Sequence, residues 1–514
     1  MVNPQKPILY ALLALAIVWA LASLSFPFGW DQGIFAWVGN TVVDGGLPYR
    51  DAWDIKGPLT YYVYGTAQLF FGKNAFAIRL TDLIFLSLAA FYIARLAAKL
   101  SGPKTGPWAA VIFVLWYASQ GFWHTAQPDG WASMLALFAI GPLLTNRDDP
   151  RSYRYLLSGF AIGLAVLIKP IYGLFAIALA IDAVFRYRKD YFRLFAAGTS
   201  MMLGVIVPFA IAVGWFAYNG ALQVFVDTWL VYPVQVYSPA ASPKAFSRAV
   251  GLIRFAESGM LVSVAWPVIV VGAVSRRHEC SRTFSVLLAW VFIAVFCVVL
   301  QGRFFEYHWA IIIPSMVLLG TKGFTALFET IRNERRESSS HGRGLIRPMV
   351  LTFLVLVIGL AAVRPALDAA RWTAHIVGLV DTPSYYSAFA SAEDARLAAK
   401  YIREHTAPGE KISVWGWDAS IIFESDRNAV SRFGYSMPLI MGKGTLQQKQ
   451  LREEFLSAVH SDPPAYVVVS PQSEMILGES VDLTDFPEFS DFIAQNYTEE
   501  ARFGKTLLYR RLAR

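Results

Sequence analysis

Long apolar stretches alternate with short polar ones along most of the chain, and their length predicts helices that cross a membrane. Runs long enough to span a hydrocarbon core of roughly 30 Å, or nearly so, lie near 8–28, 76–98, 106–123, 129–145, 155–169, 170–185, 194–217, 257–275, 283–300, 307–328 and 347–363. The pattern predicts about eleven spans. Runs within 106–185 are short and broken by Pro or Gly, which blurs their borders. The first run follows a short leader containing Lys6. It is longer than the apolar region of a signal peptide and is followed by many other spans, so it predicts an uncleaved first helix.

After about residue 364 the pattern changes. EDARLAAKYIREHT (393–406) has helical periodicity, and LREEFLSAV (451–459) and DFIAQNY (491–497) also read as helices. KISVWGW (411–417), AYVVVS (465–470) and FGKTLLYRRL (503–512) read as short strands. Helices alternating with strands predict a small α/β domain of roughly 120 residues. The expected organisation is a transmembrane domain over 1–363, a linker over 364–387 and an extracytoplasmic α/β domain over 388–514. The transmembrane domain includes a first outer loop at 29–75 and a second at 218–256. The fold class is therefore an α-helical polytopic membrane protein carrying a small α/β domain.

Charge sets the orientation. Lys and Arg collect in alternate loops, around 95–104, 147–154, 186–193, 276–282 and 332–347. Loops rich in Lys and Arg stay in the cytoplasm, so the N-terminus is expected inside and the C-terminal domain outside. The net charge of +8 fits this bias and needs no nucleic-acid partner. Cys280 and Cys297 are the only cysteines. They have neither a disulfide framework nor metal-ligand spacing.

Against a background that is 55% hydrophobic, charge gathers at a few sites on the expected outer face. Asp31 follows the first span, and YRDAWDIKGPL (49–59) supplies Arg50, Asp51, Asp54 and Lys56 between two amphipathic stretches. WHTAQPDGW supplies His124 and Asp129, LIKPIYG supplies Lys169, and QGRFFEYHW supplies Arg303, Glu306 and His308. Each has an ordinary explanation when taken singly. A boundary aspartate caps a helix, a lysine snorkels to lipid phosphate, and turn aspartates are solvated. Taken together on one face they suit a different task. Cations bind phosphate, and a carboxylate beside them takes a proton from an acceptor hydroxyl or amine. Sugar transfer from a phosphate-linked donor needs both. Outside the cytoplasm nucleotide sugars are scarce, so a lipid-linked donor is expected.

Asp31, LPYRDAWDIKGPL, the QPD of the loop after span three, LIKP and GRFFEYHW, in this order, resemble the C superfamily of bacterial membrane glycosyltransferases. The similarity is to the branches of the protein O-mannosyltransferases, the aminoarabinose lipid A transferases and the Rhizobium-type galacturonosyl transferases. It covers most of the first 325 residues, and KISVWGWDASIIFESDR is like the periplasmic domains that close many such proteins. The resemblance implies transfer of a sugar, usually with inversion, from a polyprenyl-phosphate donor to a lipid, glycan or protein acceptor. It implies catalytic roles for Asp31 and Asp129. Phosphate contact is implied for Lys56, Arg303, His308 and Lys169, with Asp54, Arg50, His124 and Glu306 as possible supporting residues. The chain departs from the family pattern by reading KGP where the family has a KPP-like lysine. It also reads Pro-Asp where Glu-Pro is usual, which leaves the role of Asp129 open. No cofactor is expected and the site is expected to be metal-independent. The expected partners are the donor, the acceptor and membrane lipids, and the expected location is the bacterial cytoplasmic (inner) membrane. The competing reading is a transporter or flippase of a lipid-linked glycan. The absence of an internal repeat and the gathering of charge at one face disfavour it.

Overall fold

The structure, a computed structural model, describes residues 5–145, 152–238, 281–321, 346–471 and 482–513. The chain divides into two compact units. Met1–Leu24, Leu80–Ile211 and Gly251–Thr373 form the first, and Ser25–Arg79, Ala212–Val250 and Ala374–Arg514 form the second.

The apolar runs fold as helices, because a chain in lipid must satisfy its backbone groups internally. Among the described residues, Lys6–Ser23, Ala75–Ser101, Pro170–Tyr187, Tyr191–Tyr218 and Arg282–Gln301 are long and apolar enough to cross a membrane. Thr105–Ala118 and Tyr153–Ile168 are shorter apolar helices. The protein is thus a multi-pass membrane protein. The expected run at 257–275 and the end of the one at 307–328 lie outside the described residues. Segment 364–387, expected as a linker, carries the end of the helix Ile346–Ile376 and the short helix Thr382–Ser387.

Within the first unit, the helices Gln5–Ser23 and Thr105–Ala118 pack through Leu12, Ala16, Val111 and Leu115. Ser152–Ile168 and Tyr191–Tyr218 cross with their backbones touching. A Cβ on Gly159 would overlap the Met201 carbonyl, and one on Gly204 would overlap that of Leu156. Small residues at such a crossing let dispersion act between helices where lipid removes the hydrophobic drive. Two buried carboxylates of this unit are held by donors. Asp82 accepts from the Tyr117 hydroxyl (2.8 Å) and Trp131 Nε1 (2.9 Å). Asp182 accepts from the Tyr155 hydroxyl (2.8 Å), Arg186 Nε (2.8 Å) and Arg282 Nη1 (2.6 Å). Both obey the rule that a charge taken out of water survives only when it is bonded.

In the second unit, the helices Trp30–Val43 and Pro58–Phe71 lie against each other. Trp30–Val43 also packs on the helix Ser420–Ser425, at a distance only glycine allows. A Cβ at Gly33 would sit 2.8 Å from Ser420. Downstream is a five-stranded mixed sheet of β1 (Lys411–Trp415), β2 (Asn428–Ala429), β3 (Tyr466–Val469), β4 (Tyr497–Phe503) and β5 (Thr506–Arg511), in the order β2-β1-β3-β5-β4. β1 runs parallel to β2 and β3, and β5 is antiparallel to β3 and β4. The three apolar strands legible in the sequence are β1, β3 and β5. Polar β4 and two-residue β2 sit at the sheet edges, where no apolar alternation is required. Trp415, Phe455, Phe486 and Phe489 form an aromatic core beside the sheet.

Asp418, just after β1, is 3% exposed and accepts from the hydroxyls of Ser420 and Ser391. Burial pushes its carboxyl up to about 6, with the serines pulling against it. A carboxyl raised in the folded state contributes stability that is complete below its ordinary value near 4. That stability is lost as pH rises through about 6. The expected loss is on the order of 3 kcal/mol. Thermal unfolding of the purified protein should therefore weaken between pH 4 and 7, and Asp418→Asn should flatten that slope. An unchanged slope in the variant would mean that Asp418 does not set it.

Candidate functional site

The candidate residues fall into two groups, one in each unit. In the second unit, Asp31 occupies the first turn of the helix Trp30–Val43 and is half-buried. The cap position belongs to Gly29, whose amide donates to Gln32 Oε1 (2.7 Å). Arg79 fixes Gln32 from the other side through Nη2 (3.0 Å) and also reaches the Pro27 carbonyl (2.5 Å). Capping is thus done by Gln32, and Asp31 stands at the positive end of the helix, where a carboxylate is favoured.

YRDAWDIKGPL forms the turn between the two helices. Tyr49 takes a left-handed backbone (φ 72°) and its amide donates to the Ala52 carbonyl (2.7 Å). Asp51 receives the Leu47 amide (2.7 Å) and Arg50 Nη2 (2.8 Å), so this carboxylate closes the turn and holds Arg50. Asp54 is buried at 3% exposure. Its two oxygens accept from the hydroxyls of Tyr61 (2.8 Å) and Tyr435 (2.6 Å). Burial raises the Asp54 carboxyl, while Tyr435, Lys56 and Tyr61 draw it back down.

Lys56 follows two residues later, beside the Gly57-Pro58 start of the next helix. Its carbonyl accepts from Tyr49 (2.8 Å) and lies 3.1 Å from the Tyr61 hydroxyl. Its Nζ lies 5.9 Å above the Phe35 ring. The backbone that carries Lys56 is therefore fixed by two tyrosines while its ammonium stays half-buried. The C-terminal chain grips the same turn. The Trp53 amide donates to the Arg432 carbonyl (2.7 Å), Arg432 Nη1 donates to the Tyr49 carbonyl (2.8 Å), and Trp53 stacks edgewise on Tyr232.

In the first unit, Asp129 opens the helix Pro128–Thr145 and is 1% exposed. Lys169 Nζ lies 3.0 Å from Asp129 Oδ1 and 2.5 Å from Gln301 Oε1. The Tyr172 hydroxyl donates to the same carboxylate oxygen. Lys169 itself sits at the break between the helix Ser152–Ile168 and the 3₁₀ turn Pro170–Phe175. A Pro there frees the chain from helix geometry and turns the lysine inward. Arg303 and His308 flank the 3₁₀ turn Glu306–Ile312 or lie within it, and both are buried. His124 Nε2 approaches Glu306 Oε2 (3.4 Å), as does Arg364 Nη1 (3.5 Å). The structure thus brings Asp129 together with Lys169, and His124 with Glu306. It brings Asp54 and Lys56 into one turn and pairs Arg50 with Asp51.

Sequence reading missed Tyr61, Tyr435, Arg432, Tyr172, Gln301 and Arg364. Only Arg364, beside Pro365 in a helix, carried a local signal. The others are ordinary until folding sets them beside a carboxylate. Among the described residues, no group of three or more His, Cys, Asp or Glu could hold a metal ion. In chemical terms, the second unit offers a positioned ammonium at Lys56 and a carboxylate at a helix start at Asp31, and the first unit offers the Lys169 ammonium against buried Asp129. Both are suited to a phosphorylated ligand.

A hydrogen bond to a charged group contributes about 1.5–3 kcal/mol. Tyr435→Phe should therefore loosen the 49–57 turn and speed amide hydrogen exchange at Trp53, whose N–H is held by Arg432. Wild-type exchange in the variant would mean the hydroxyl holds nothing.

Residues 55–215 match the sequence model of the dolichyl-phosphate-mannose-protein mannosyltransferase family. No curated protein matches the chain. Among solved structures, the chain is similar to ArnT from Cupriavidus metallidurans bound to undecaprenyl phosphate, with a TM-score of 0.59, 14% identity and 99% of each chain covered. It is also similar to the oligosaccharyltransferase of Archaeoglobus fulgidus. The apo form gives a TM-score of 0.50 at 14% identity, covering 89% of this chain and 69% of that one. The form tethered to an acceptor peptide gives 0.51 at 13% identity with the same coverage. The fold expected from the sequence, a helical membrane body with a small α/β domain, is the fold these proteins share with this chain.

Proposed function

We propose that this chain is a membrane glycosyltransferase that moves a sugar from a polyprenyl-phosphate donor to a lipid, glycan or protein acceptor. One observation carries the reading. The mannosyltransferase family match begins at the Lys56 turn and runs on through Asp129 and Lys169. The fold shared with ArnT, a protein seen with undecaprenyl phosphate, supports the choice of donor. The work is assigned to the face opposite the Lys- and Arg-rich loops. That places it on the outer side of a bacterial cytoplasmic membrane, with the N-terminus inside.

The chemistry follows from the groups present. Asp31 accepts the proton of the acceptor hydroxyl or amine as that atom attacks the anomeric carbon. The bond from that carbon to the phosphate oxygen breaks as the new one forms, inverting the centre, and polyprenyl phosphate leaves as the anion. Lys56 meets the departing phosphate as a point charge, on a backbone already fixed by Tyr49 and Tyr61. Within the first unit, Arg303 and His308 are candidate phosphate-binding groups. Lys169 shares that assignment through its ammonium, which also holds Asp129 in place. Because Lys169 and Tyr172 already engage Asp129, its role is to orient these groups rather than to act as the first base. Asp54 and Arg50 support the Lys56 turn of the second unit, and His124 and Glu306 support the group in the first.

Two outcomes test the proposal in purified protein supplied with an undecaprenyl-phosphate-linked sugar. Asp31→Asn should abolish formation of the sugar bond, a fall of at least about a hundredfold for a lost general base, while insertion and thermal stability stay near wild type. Turnover close to wild type would remove Asp31 from the reaction. Movement of the lipid-linked sugar across a vesicle with no new bond would favour a flippase instead. The site is also assigned as metal-independent. EDTA should leave the rate unchanged, and a loss restored by added divalent ion would overturn that part.

A further inference from the structure

A cavity of about 610 Å³ lies within the second unit, lined by no residue of the Lys56 turn. Lys73, Arg396, Lys400 and Arg403 bring four cations to its walls, against two carboxylates, Glu424 and Asp426. Lys73 bonds Asp426 (2.6 Å) and Arg396 chelates Glu393 (2.8 Å), so two of the cations are held in place by ion pairs. Lys400, whose Nζ lies 3.9 Å from exposed Glu404, and Arg403 stand exposed on the helix Ala392–His405, one turn apart on the face toward the cavity.

The surroundings indicate what fills this cavity. Lys73 lies two residues before Ala75–Ser101, a helix apolar and long enough to cross a membrane. Directly before it, the helix Pro58–Phe71 ends in Leu69, Phe70 and Phe71, which are 69%, 73% and 41% exposed, and Phe76 beyond is 46% exposed. Large apolar side chains bared in this way at the mouth of a span belong among acyl chains. The cationic cavity thus adjoins, through Lys73 and Ala75, a stretch of chain whose large apolar side chains are bared. We propose that it binds the phosphate headgroup of an anionic membrane phospholipid, with the Leu69–Phe71 end and Phe76 in the acyl region. The site is separate from the glycosyl-transfer reading and does not depend on it.

Native mass spectrometry of full-length protein released from phosphatidylcholine nanodiscs doped with phosphatidylglycerol tests this. Wild type should retain phosphatidylglycerol in preference to phosphatidylcholine, and high salt should weaken the preference. Replacing both Lys400→Gln and Arg403→Gln should lower it about thirty-fold, from the gain per basic residue near an anionic surface, with thermal unfolding unchanged. Excess glycerol phosphate, the soluble headgroup alone, should not displace the lipid. An equal preference in wild type and double variant, or none in wild type, overturns the proposal. Displacement by glycerol phosphate overturns the lipid assignment. So does a raised acceptor KM in the double variant with lipid preference unchanged. If the double variant fails to insert, the salt dependence in wild type and the single Lys400→Gln variant decide the matter, since Lys400 lies on an exposed surface.

Discussion

A carboxylate buried beside a lysine turn is the constraint on which the second unit's candidate site depends. Asp54 has left water almost entirely, and an ionised carboxylate in that position must be bonded or it will protonate or expel the loop. Two tyrosines answer the need, one from the adjoining helix and one from the C-terminal chain. Because they hold Asp54, they also hold the two-residue path to Lys56. Tyr49 and Tyr61 fix that path a second time at the Lys56 carbonyl. The lysine is thus presented by a backbone with few alternatives. A preorganised charge acts without reorganisation at the moment charge develops on a leaving group, which is where electrostatic catalysis gains most.

The same rule recurs elsewhere in the molecule. Asp82, Asp129 and Asp182 are each buried in the first unit, and each is met by tyrosine, tryptophan, lysine or arginine donors. Two of these networks fasten helices together. The one at Asp129 also gathers Lys169 and Gln301, so a structural requirement and a candidate binding group coincide. Charge in this chain is sparse, and these three buried carboxylates, among the described residues, come with their donors in place.

Much of this was legible in the sequence, for a physical reason. Lipid demands unbroken apolar length, so the helices Gln5–Ser23, Ala75–Ser101 and Tyr191–Tyr218 announce themselves. The turn chemistry of Gly57-Pro58 announces the start of the second helix flanking Lys56. Buried strands β1 and β3 read as apolar runs. The rest depends on distance along the chain. Tyr435 lies 381 residues from Asp54, and no local period links them. Strand β2, two residues long, is defined only by its neighbour β1. The touching backbones at Gly159 and Gly204 are likewise invisible until two helices cross. Asp31 reads as a helix cap from sequence, and only the fold shows that Gln32 takes that work.

Presenting Lys56 to the phosphate of a polyprenyl carrier is the role we assign to the tyrosine-held turn. The most direct measurement is an experimental structure of the full-length protein with undecaprenyl phosphate bound. Phosphate density should lie within hydrogen-bond reach of Lys56 Nζ, with the Asp54–Tyr61–Tyr435 bonds intact. Phosphate bound elsewhere, with Lys56 turned to solvent or lipid, would contradict it.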